Sequence, residues 1–120
     1  MKKRAAILVP VLALIVILWF ALAPPRFWLN LTRRVDLSDP VAAGQALVTQ
    51  YDCQACHQVH GQGRPFGPSL DGVTRRLEAD ELRLWLRQPQ KVKPNTTMPN
   101  LRLSDSEIEA IIAYLAANDQ

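Results

Sequence analysis

Two cysteines and two histidines fall within one short stretch of this chain, YDCQACHQVH at residues 51–60. Cys53, Cys56 and His57 form the pattern C-x-x-C-H, in which an imidazole follows directly after a pair of closely spaced thiols. This spacing allows both sulfurs to add to the two vinyl groups on one edge of a porphyrin, and it directs the imidazole to the iron as an axial ligand. The pattern predicts one haem c, covalently attached through Cys53 and Cys56 and ligated by His57.

The same side chains have three other uses in proteins, and each fits this sequence less well. A zinc site would add His57 and His60 to the cysteines, but the histidines follow the cysteine pair too closely for a zinc finger. A dithiol oxidoreductase would place its C-x-x-C motif where a strand meets a helix, and no strand pattern is visible here. A structural disulfide would leave His57 without a role.

The second axial ligand is predicted by elimination. Beyond the first 23 residues, the strong iron ligands that remain are His60 and Met98, since the only other methionine is Met1. His60 follows His57 too closely to reach the opposite haem face, and we interpret it as a loop histidine near solvent. Met98 interrupts a polar loop stiffened by prolines, which suits a soft thioether that must be held against iron. His57 and Met98 are therefore the predicted metal ligands.

Three further residues are candidates for the haem environment. Pro68, in the segment GPSL at residues 67–70, offers a carbonyl oxygen that could accept a hydrogen bond from the second ring nitrogen of His57. Leu70 either covers the haem face or belongs to the ordinary core. Trp85 is either a core residue on a helix face or an indole donor to a haem propionate.

The sequence around these residues predicts an all-α fold. One helix covers about residues 39–51 and is capped by Asp39, and a second covers about residues 78–87. The third begins at a capping box formed by Ser104 and Glu107, followed by apolar residues at helical spacing. No strand pattern or internal repeat is found.

Long irregular segments connect these helices, at residues 60–72 and 88–100. Such loops are unusual in a compact domain unless something organises them. The domain also has few large apolar side chains for its size. Both features predict a buried prosthetic group.

An amino-terminal membrane anchor is predicted from residues 5–23, which carry no charge and would span about 28 Å as a helix. The alternative is a cleaved signal peptide, because ALA at residues 21–23 resembles a cleavage site. The length of the apolar run and the two prolines that follow it favour an uncleaved anchor. The cations at residues 2–4 favour a cytoplasmic amino terminus and an exported domain.

We divide the chain into a transmembrane anchor at residues 1–23, an interfacial tether at 24–38 and a haem domain at 39–120. Aromatic and arginine side chains around the tether are typical of the boundary between a bilayer and water. They are Trp19, Arg26, Phe27, Trp28, Arg33 and Arg34.

The charge distribution gives no indication of nucleic-acid binding. Three of the 14 lysine and arginine residues precede the apolar run, so the remaining ones balance the 11 acidic residues of the exported part. Within that part, cations are concentrated at residues 64–102. This concentration is either a docking patch for an acidic partner or a set of ordinary solvated charges.

Residues 39–120 resemble class I monohaem cytochromes c. The resemblance includes the helix before C-x-x-C-H, the GPSL segment, the Met98-Pro99 loop and the carboxy-terminal IIAYL helix. It implies a small fold of about three main helices around a covalent haem, here behind one amino-terminal transmembrane helix. It also implies that the first and last helices cross closely, with Gly44 and Tyr114 at the crossing.

With both axial positions filled by His57 and Met98, the iron has no open site for substrate, so we expect an electron carrier and not an enzyme. The single anchor resembles membrane-bound donors to haem-copper oxidases and the small cytochrome subunit of bacterial nitric oxide reductase. We rank an oxidase donor or subunit first, and a small cytochrome subunit of a nitric oxide reductase or of another respiratory complex second. The alternative from the enzyme class, a haem peroxidase or ligand sensor, requires Met98 to be absent from the iron or labile.

The resemblance to these membrane-bound cytochromes implies a bacterial inner-membrane location, with one membrane pass and the haem domain in the periplasm. Besides the membrane, the expected partners are redox proteins. A quinol-oxidising complex or a soluble cytochrome would be the electron donor, and a terminal oxidase or reductase the acceptor.

Overall fold

A computed structural model describes the backbone of residues 2–120 and the side chains of residues 6–120. The cationic side chains at residues 2–4, on which the predicted orientation depends, lie outside the described residues. The described part is all-α, as predicted, and contains no strand beyond an isolated bridge between Val59 and Gln62. The α-helices are α1 (Lys2–Leu22), α2 (Arg26–Thr32), α3 (Pro40–Gln50), α4 (Val73–Arg76), α5 (Ala79–Arg87), α6 (Pro89–Val92) and α7 (Asp105–Asn118), and a 3-10 helix covers Cys53–Ala55.

The centre of the domain is the crossing of α3 and α7. Gly44 is buried where α3 meets α7, and a Cβ atom at this position would overlap the carbonyl oxygen of Ala110 and lie 2.6 Å from Cβ of Tyr114. Only a glycine allows the two backbones to approach this closely, so the predicted roles of Gly44 and Tyr114 are confirmed. Around the crossing, apolar side chains from α3 and α7 form the core together with Leu103.

The ends of the two crossing helices have the predicted caps. The side chain of Asp39 accepts a hydrogen bond from the backbone N–H of Ala42, at 3.1 Å. At the start of α7, the hydroxyl of Ser104 accepts from the N–H of Glu107, and the Glu107 carboxylate accepts from the N–H of Ser104 at 2.7 Å. These bonds satisfy backbone donors that a helix start leaves unpaired, which explains why local sequence places both helices correctly.

The segment before the domain contains a helix that the sequence did not predict. Helix α2 lies within residues 24–38 and packs on the domain, where Leu29 is buried. Asn30 contacts Asp105 at the start of α7. Helix α2 has no side-chain cap and is too short to be stable alone, so these tertiary contacts account for it.

The amino-terminal helix α1 is apolar and its described side chains from Ile7 to Leu22 are mostly exposed. Judged by length and hydropathy, none of the helices in the described residues could cross a membrane by itself. One pair that is bent by 69°, Ala6–Leu22 with Arg26–Thr32, meets the criterion together.

Candidate functional site

The C-x-x-C-H motif lies on a tight turn directly after α3. Asp52 has a left-handed backbone with φ of 50°, which reverses the chain and starts the 3-10 helix Cys53–Ala55. The N–H of His57 then donates to the carbonyl oxygen of Cys53, at 2.9 Å. This turn holds both thiols and the imidazole within one short unit, as the motif predicts.

Both thiols of the motif are free. Cys53 is partly buried and Cys56 is exposed, and no disulfide joins them. Burial raises the pKa of the Cys53 thiol, and the nearby Asp52 carboxylate acts in the same direction. Two unpaired thiols at this spacing are available for thioether bonds, whereas the disulfide interpretation requires them to be joined to each other.

The imidazole of His57 is oriented by the predicted residue, Pro68. The protonated Nδ1 atom of His57 donates to the carbonyl oxygen of Pro68 at 2.7 Å. This bond leaves Nε2 as the nitrogen that can ligate a metal ion.

Gly67 supports the His57 ring in a way that sequence analysis missed. A Cβ atom at Gly67 would lie 2.5 Å from Cε1 and 2.7 Å from Nδ1 of His57, so any larger residue would displace the ring. The N–H of Gly67 also donates to the carbonyl oxygen of Cys56, at 2.6 Å. The sequence contains a glycine directly before Pro68, but only the tertiary structure brings this glycine against the His57 ring.

The rest of the segment 60–72 is bound to the C-x-x-C-H region by backbone hydrogen bonds. The N–H of Arg64 donates to the carbonyl of Gln54 at 3.0 Å, and that of Leu70 donates to the carbonyl of Gln58 at 2.9 Å. At Gly63 a Cβ atom would overlap the carbonyl oxygen of His57, and the φ of 114° also favours glycine. The irregular segment 60–72 is thus ordered by its contacts with the motif.

Met98 lies in a second irregular segment whose backbone is held from both sides. The amide of Gln90 donates to the carbonyl oxygen of Met98 at 2.9 Å, and the N–H of Met98 contacts the Thr96 hydroxyl at 3.2 Å. The Met98 side chain is half-buried. These bonds fix the loop that carries the thioether, and the ligation of iron by Met98 stays a prediction.

The other candidate residues have different environments. Leu70 packs against the hydrophobic core, which is the ordinary role considered for it. Trp85 is half-buried in α5 and, in the described part of the chain, is not among the residues of the core cluster. His60 lies in a loop with its Nε2 atom 3.2 Å from the Tyr114 hydroxyl.

The cations of residues 64–102 divide into two groups. Four arginines bond within the protein. Arg83 forms ion pairs with Glu109 and Asp80, and Arg87 with Asp105. Arg75 and Arg76 donate to the backbone carbonyl oxygens of Asp119 and Asp71, and both remain exposed. The remaining cations, Arg64, Lys91, Lys93 and Arg102, are exposed. Arg64 lies over the ring of Phe66, which is 77% exposed close to the motif. The surface available for docking is therefore smaller than the sequence indicates.

This arrangement fits a covalently held haem better than the other interpretations. The thiols are unpaired, the ring of His57 presents Nε2, and the glycine beneath the ring leaves room for no side chain. Among the described residues, no group of three or more His, Cys, Asp or Glu is arranged to hold a metal ion, which disfavours the zinc site. The dithiol interpretation requires a strand before the motif, where the structure has helix α3.

Comparison with known proteins agrees with this fit. The family described as Cytochrome c matches residues 41–119. The chain is 27% identical over 115 residues to the C subunit of nitric oxide reductase from Halomonas halodenitrificans, covering 86% of this chain and 77% of that protein. It is 30% identical over 93 residues to the C subunit of nitric oxide reductase from Cereibacter sphaeroides, covering 70% and 63% respectively.

A third relative has a different name. The chain is 33% identical over 81 residues to cytochrome c oxidase subunit 2 of Alkalihalophilus pseudofirmus, covering 60% of this chain and 24% of that protein. The chain therefore spans about a quarter of the oxidase subunit, but most of the length of the two reductase subunits.

Proposed function

This chain belongs to the cytochrome c family, and from that premise we propose that it is a membrane-anchored electron carrier serving a respiratory complex. One haem c would be held by thioether bonds to Cys53 and Cys56. A haem so bound supplies a one-electron iron couple. The observation that carries the proposal is the 2.7 Å bond from Nδ1 of His57 to Pro68, since it presents the other ring nitrogen for axial ligation.

The roles of the chain's own residues follow from their positions. His57 provides one axial ligand and is oriented by Pro68 and Gly67. Met98, on a loop held by Gln90, provides the other. A histidine and a thioether together leave no coordination position for a substrate, and they favour a high reduction potential. For this reason we assign electron transfer and not catalysis.

A covalent adduct and a spectrum test this assignment. Intact-mass measurement of the mature chain is expected to give the polypeptide plus one haem, and the ferric protein is expected to have the weak near-infrared band of methionine-ligated haem. High-spin ferric character would instead support the peroxidase or ligand sensor. A chain without a covalent adduct would contradict the whole proposal.

The membrane location is also a proposal. It is supported by the apolar, largely exposed helix α1 and by the relatives that are named as C subunits of nitric oxide reductase. We infer that residues 1–23 form an uncleaved anchor and that the haem domain lies in the periplasm. Amino-terminal sequencing of the membrane-bound protein tests this inference, because cleavage after residue 23 would leave Pro24 as the first residue.

The choice of partner depends on the relatives. An oxidase donor or subunit ranked first from sequence, but the two reductase subunits align over more of this chain than the oxidase subunit does. This coverage favours a small cytochrome subunit of a nitric oxide reductase. Co-purification from detergent extracts, followed by assays for nitric oxide and oxygen reduction, distinguishes the two. If deletion of the chain abolishes only oxygen reduction, the oxidase is the partner and not the nitric oxide reductase.

Docking would use the exposed edge near Cys56. Arg64 and Phe66 are exposed on the loop beside this cysteine and offer a positive charge and an apolar contact. An acidic partner would be attracted at long range and positioned at short range by such a surface.

A further inference from the structure

Helix α2 has two different faces. On one face Leu29 is 5% exposed, and Arg26 and Asn30 are half-buried against the domain. On the other, Phe27 is 64% exposed and Leu31 is 72% exposed. A short helix that leaves large apolar side chains uncovered next to a tightly bonded face indicates a second binding surface.

The domain-facing side of α2 is bonded to one residue, Asp105, the first residue of α7. Asn30 both donates to the Asp105 carboxylate, at 2.6 Å, and accepts from the Asp105 N–H, at 2.8 Å. Arg26 and Arg87 donate to the same carboxylate, Arg87 at 2.7 Å. The hydrogen bond from Arg26 is the main reason that the pKa of Asp105 lies below its ordinary value, although burial acts against it.

The chain after α2 is bonded to the same helix start. The hydroxyl of Ser104 donates to the carbonyl of Arg33 at 2.7 Å, and the N–H of Val35 donates to the Ser106 hydroxyl at 3.0 Å. We call the contacts of residues 26–35 with residues 104–106 the α2 clamp. With hydrogen bonds to the start of α7 from both α2 and the residues after it, the segment predicted as an interfacial tether is held against the domain.

The exposed face of α2 continues the apolar surface of α1. Phe20, near the end of α1, packs edge-on against Phe27 and Trp28, with ring centroids 6.4 and 5.9 Å apart. Exposed arginines, Arg33 and Arg34, follow the helix. Aromatic rings next to an apolar helix, with cations just beyond them, match the chemistry of a bilayer surface, where headgroups carry negative charge.

We propose that the exposed face of α2 lies in the headgroup region of an anionic bilayer. Because the α2 clamp holds α2 against the domain, this contact fixes the orientation of the haem domain on the membrane. The inference rests on the proposed membrane anchor and adds a second, independent membrane contact to it. A fixed orientation keeps the exposed haem edge near Cys56 within a narrow range of distances from the membrane surface. This suits a redox partner in the same membrane.

The membrane contact can be measured in the full-length holoprotein. Because haem attachment consumes Cys53 and Cys56, a spin label on Leu31→Cys reports one position, and Gln45→Cys, on the exposed side of α3, is the matched control. In nanodiscs of phosphatidylcholine and phosphatidylglycerol, the label at residue 31 is expected to be more accessible to oxygen than to a water-soluble nickel complex. The label at residue 45 is expected to have the opposite preference.

The clamp is tested by hydrogen exchange in the same nanodiscs. Asn30→Ala and Asp105→Asn are expected to speed exchange of the α2 amides by about tenfold or more, because each removes hydrogen bonds that hold the helix. Glu109→Gln, which breaks the Arg83 pair between α5 and α7, is the matched control and is expected to leave α2 unchanged. An unchanged haem spectrum in each variant verifies that the domain is folded.

The possible failures are distinguishable. If the mature chain begins at residue 24, or fails to enter nanodiscs, the proposed anchor is wrong. If the chain is anchored and haem-loaded but the label at residue 31 stays in water, the lipid contact is wrong and electron transfer is unaffected. If that label is protected only in native membranes, the face binds a membrane protein instead, which also overturns the proposal. Equal α2 exchange in wild type and both clamp variants would refute the fixed orientation.

Discussion

Gly44 in α3 lies directly against the backbone of Ala110 in α7, with 2.7 Å between the position of a Cβ atom at Gly44 and the carbonyl carbon of Ala110. This contact sets the distance between the two helices. Because Tyr51, at the end of α3, also donates to the buried Glu107 of α7 at 2.7 Å, the crossing fixes the turn that carries the C-x-x-C-H motif. The position of Cys53, Cys56 and His57 therefore depends on one glycine outside the motif.

Replacing this glycine tests the crossing. Gly44→Ala is expected to destabilise the holoprotein by about 3 kcal/mol, because the methyl group overlaps rigid backbone and the helices must separate. Guanidinium unfolding followed by far-ultraviolet circular dichroism measures the change. Ala46→Gly, at an exposed position of the same helix, is the control and is expected to cost about 1 kcal/mol through helix propensity alone. Equal losses would mean that the close contact is not required.

Gly67→Ala is expected to displace the imidazole of His57 and reduce the yield of holoprotein with normal axial ligation by about tenfold, since the group that orients a ligand affects metal binding on this scale. The haem absorption spectrum per mole of polypeptide measures it. Gly61→Ala is the control in the same loop: its φ of +68° makes alanine unfavourable there, a strain that Gly67 does not have, but no atom lies within 4 Å of the added Cβ. Similar haem loss in both variants would assign the effect to a general disturbance of the loop and not to contact with the His57 ring.

Met98→Ala is expected to remove the near-infrared band and to lower the reduction potential by on the order of 100 mV, because the thioether stabilises ferrous haem. Protein-film voltammetry and ferric absorption spectra measure both effects. Thr97→Ala, at the exposed neighbouring position, is the control and is expected to retain the band. Retention of the band in Met98→Ala would contradict the predicted ligand.

Charge steering is tested by neutralising exposed cations. The double variant Arg64→Gln and Lys91→Gln is expected to slow oxidation by the partner complex several-fold at low ionic strength and to reduce the salt dependence. Stopped-flow oxidation at increasing salt measures it. Gln45→Glu combined with Gln50→Glu, both exposed on α3, changes the net charge by the same amount outside the cationic stretch. If both double variants slow equally, only net charge matters.

Asp119 predicts a dependence of stability on pH. Burial acts to raise the pKa of this carboxylate, but hydrogen bonds from the Thr74 hydroxyl and from the backbone N–H groups of Thr74 and Gly72 outweigh it and hold the pKa below its ordinary value. A lowered pKa in the folded state means that Asp119 stabilises the protein fully above its unfolded pKa of about 4, and that this contribution is lost as the pH falls through the folded value.

Asp119→Asn is therefore expected to reduce the free energy of unfolding by about 2 kcal/mol at neutral pH, and by progressively less below about pH 4. Guanidinium unfolding at several pH values measures the difference from wild type. Asp80→Asn is the control, because the Asp80 side chain is 94% exposed. A deficit that stays constant down to strongly acidic pH would show that the carboxylate charge has no part in it.

Much of the architecture was predictable because it depends on neighbours in sequence. The cap of α3 joins Asp39 to Ala42, and the capping box of α7 joins Ser104 to Glu107. The C-x-x-C-H motif likewise works within one turn, so residue types and spacing are sufficient to identify its chemistry. The capped helices α3 and α7, the candidate thiols and the histidine of the motif could all be predicted at this level.

Features that depend on distant residues could not be predicted in the same way. The bond from His57 to Pro68 was predicted because a metal-bound histidine needs an acceptor, but the packing of Gly67 under the ring was not. The arginine-rich stretch indicated one basic surface, whereas two of its eight cations, Arg83 and Arg87, are held in internal ion pairs. A sequence shows which charges are present but does not say which of them are neutralised by partners elsewhere in the chain.

The sequence by itself determined the class of fold and the chemistry of the motif, because helix caps and haem attachment are encoded over a few consecutive residues. Only the tertiary structure decided that α2 is a helix bonded to the domain. Asn30 and Asp105 lie far apart in sequence, and α2 has no cap of its own. Its stability arises from contacts that form after the chain has folded around the crossing of α3 and α7.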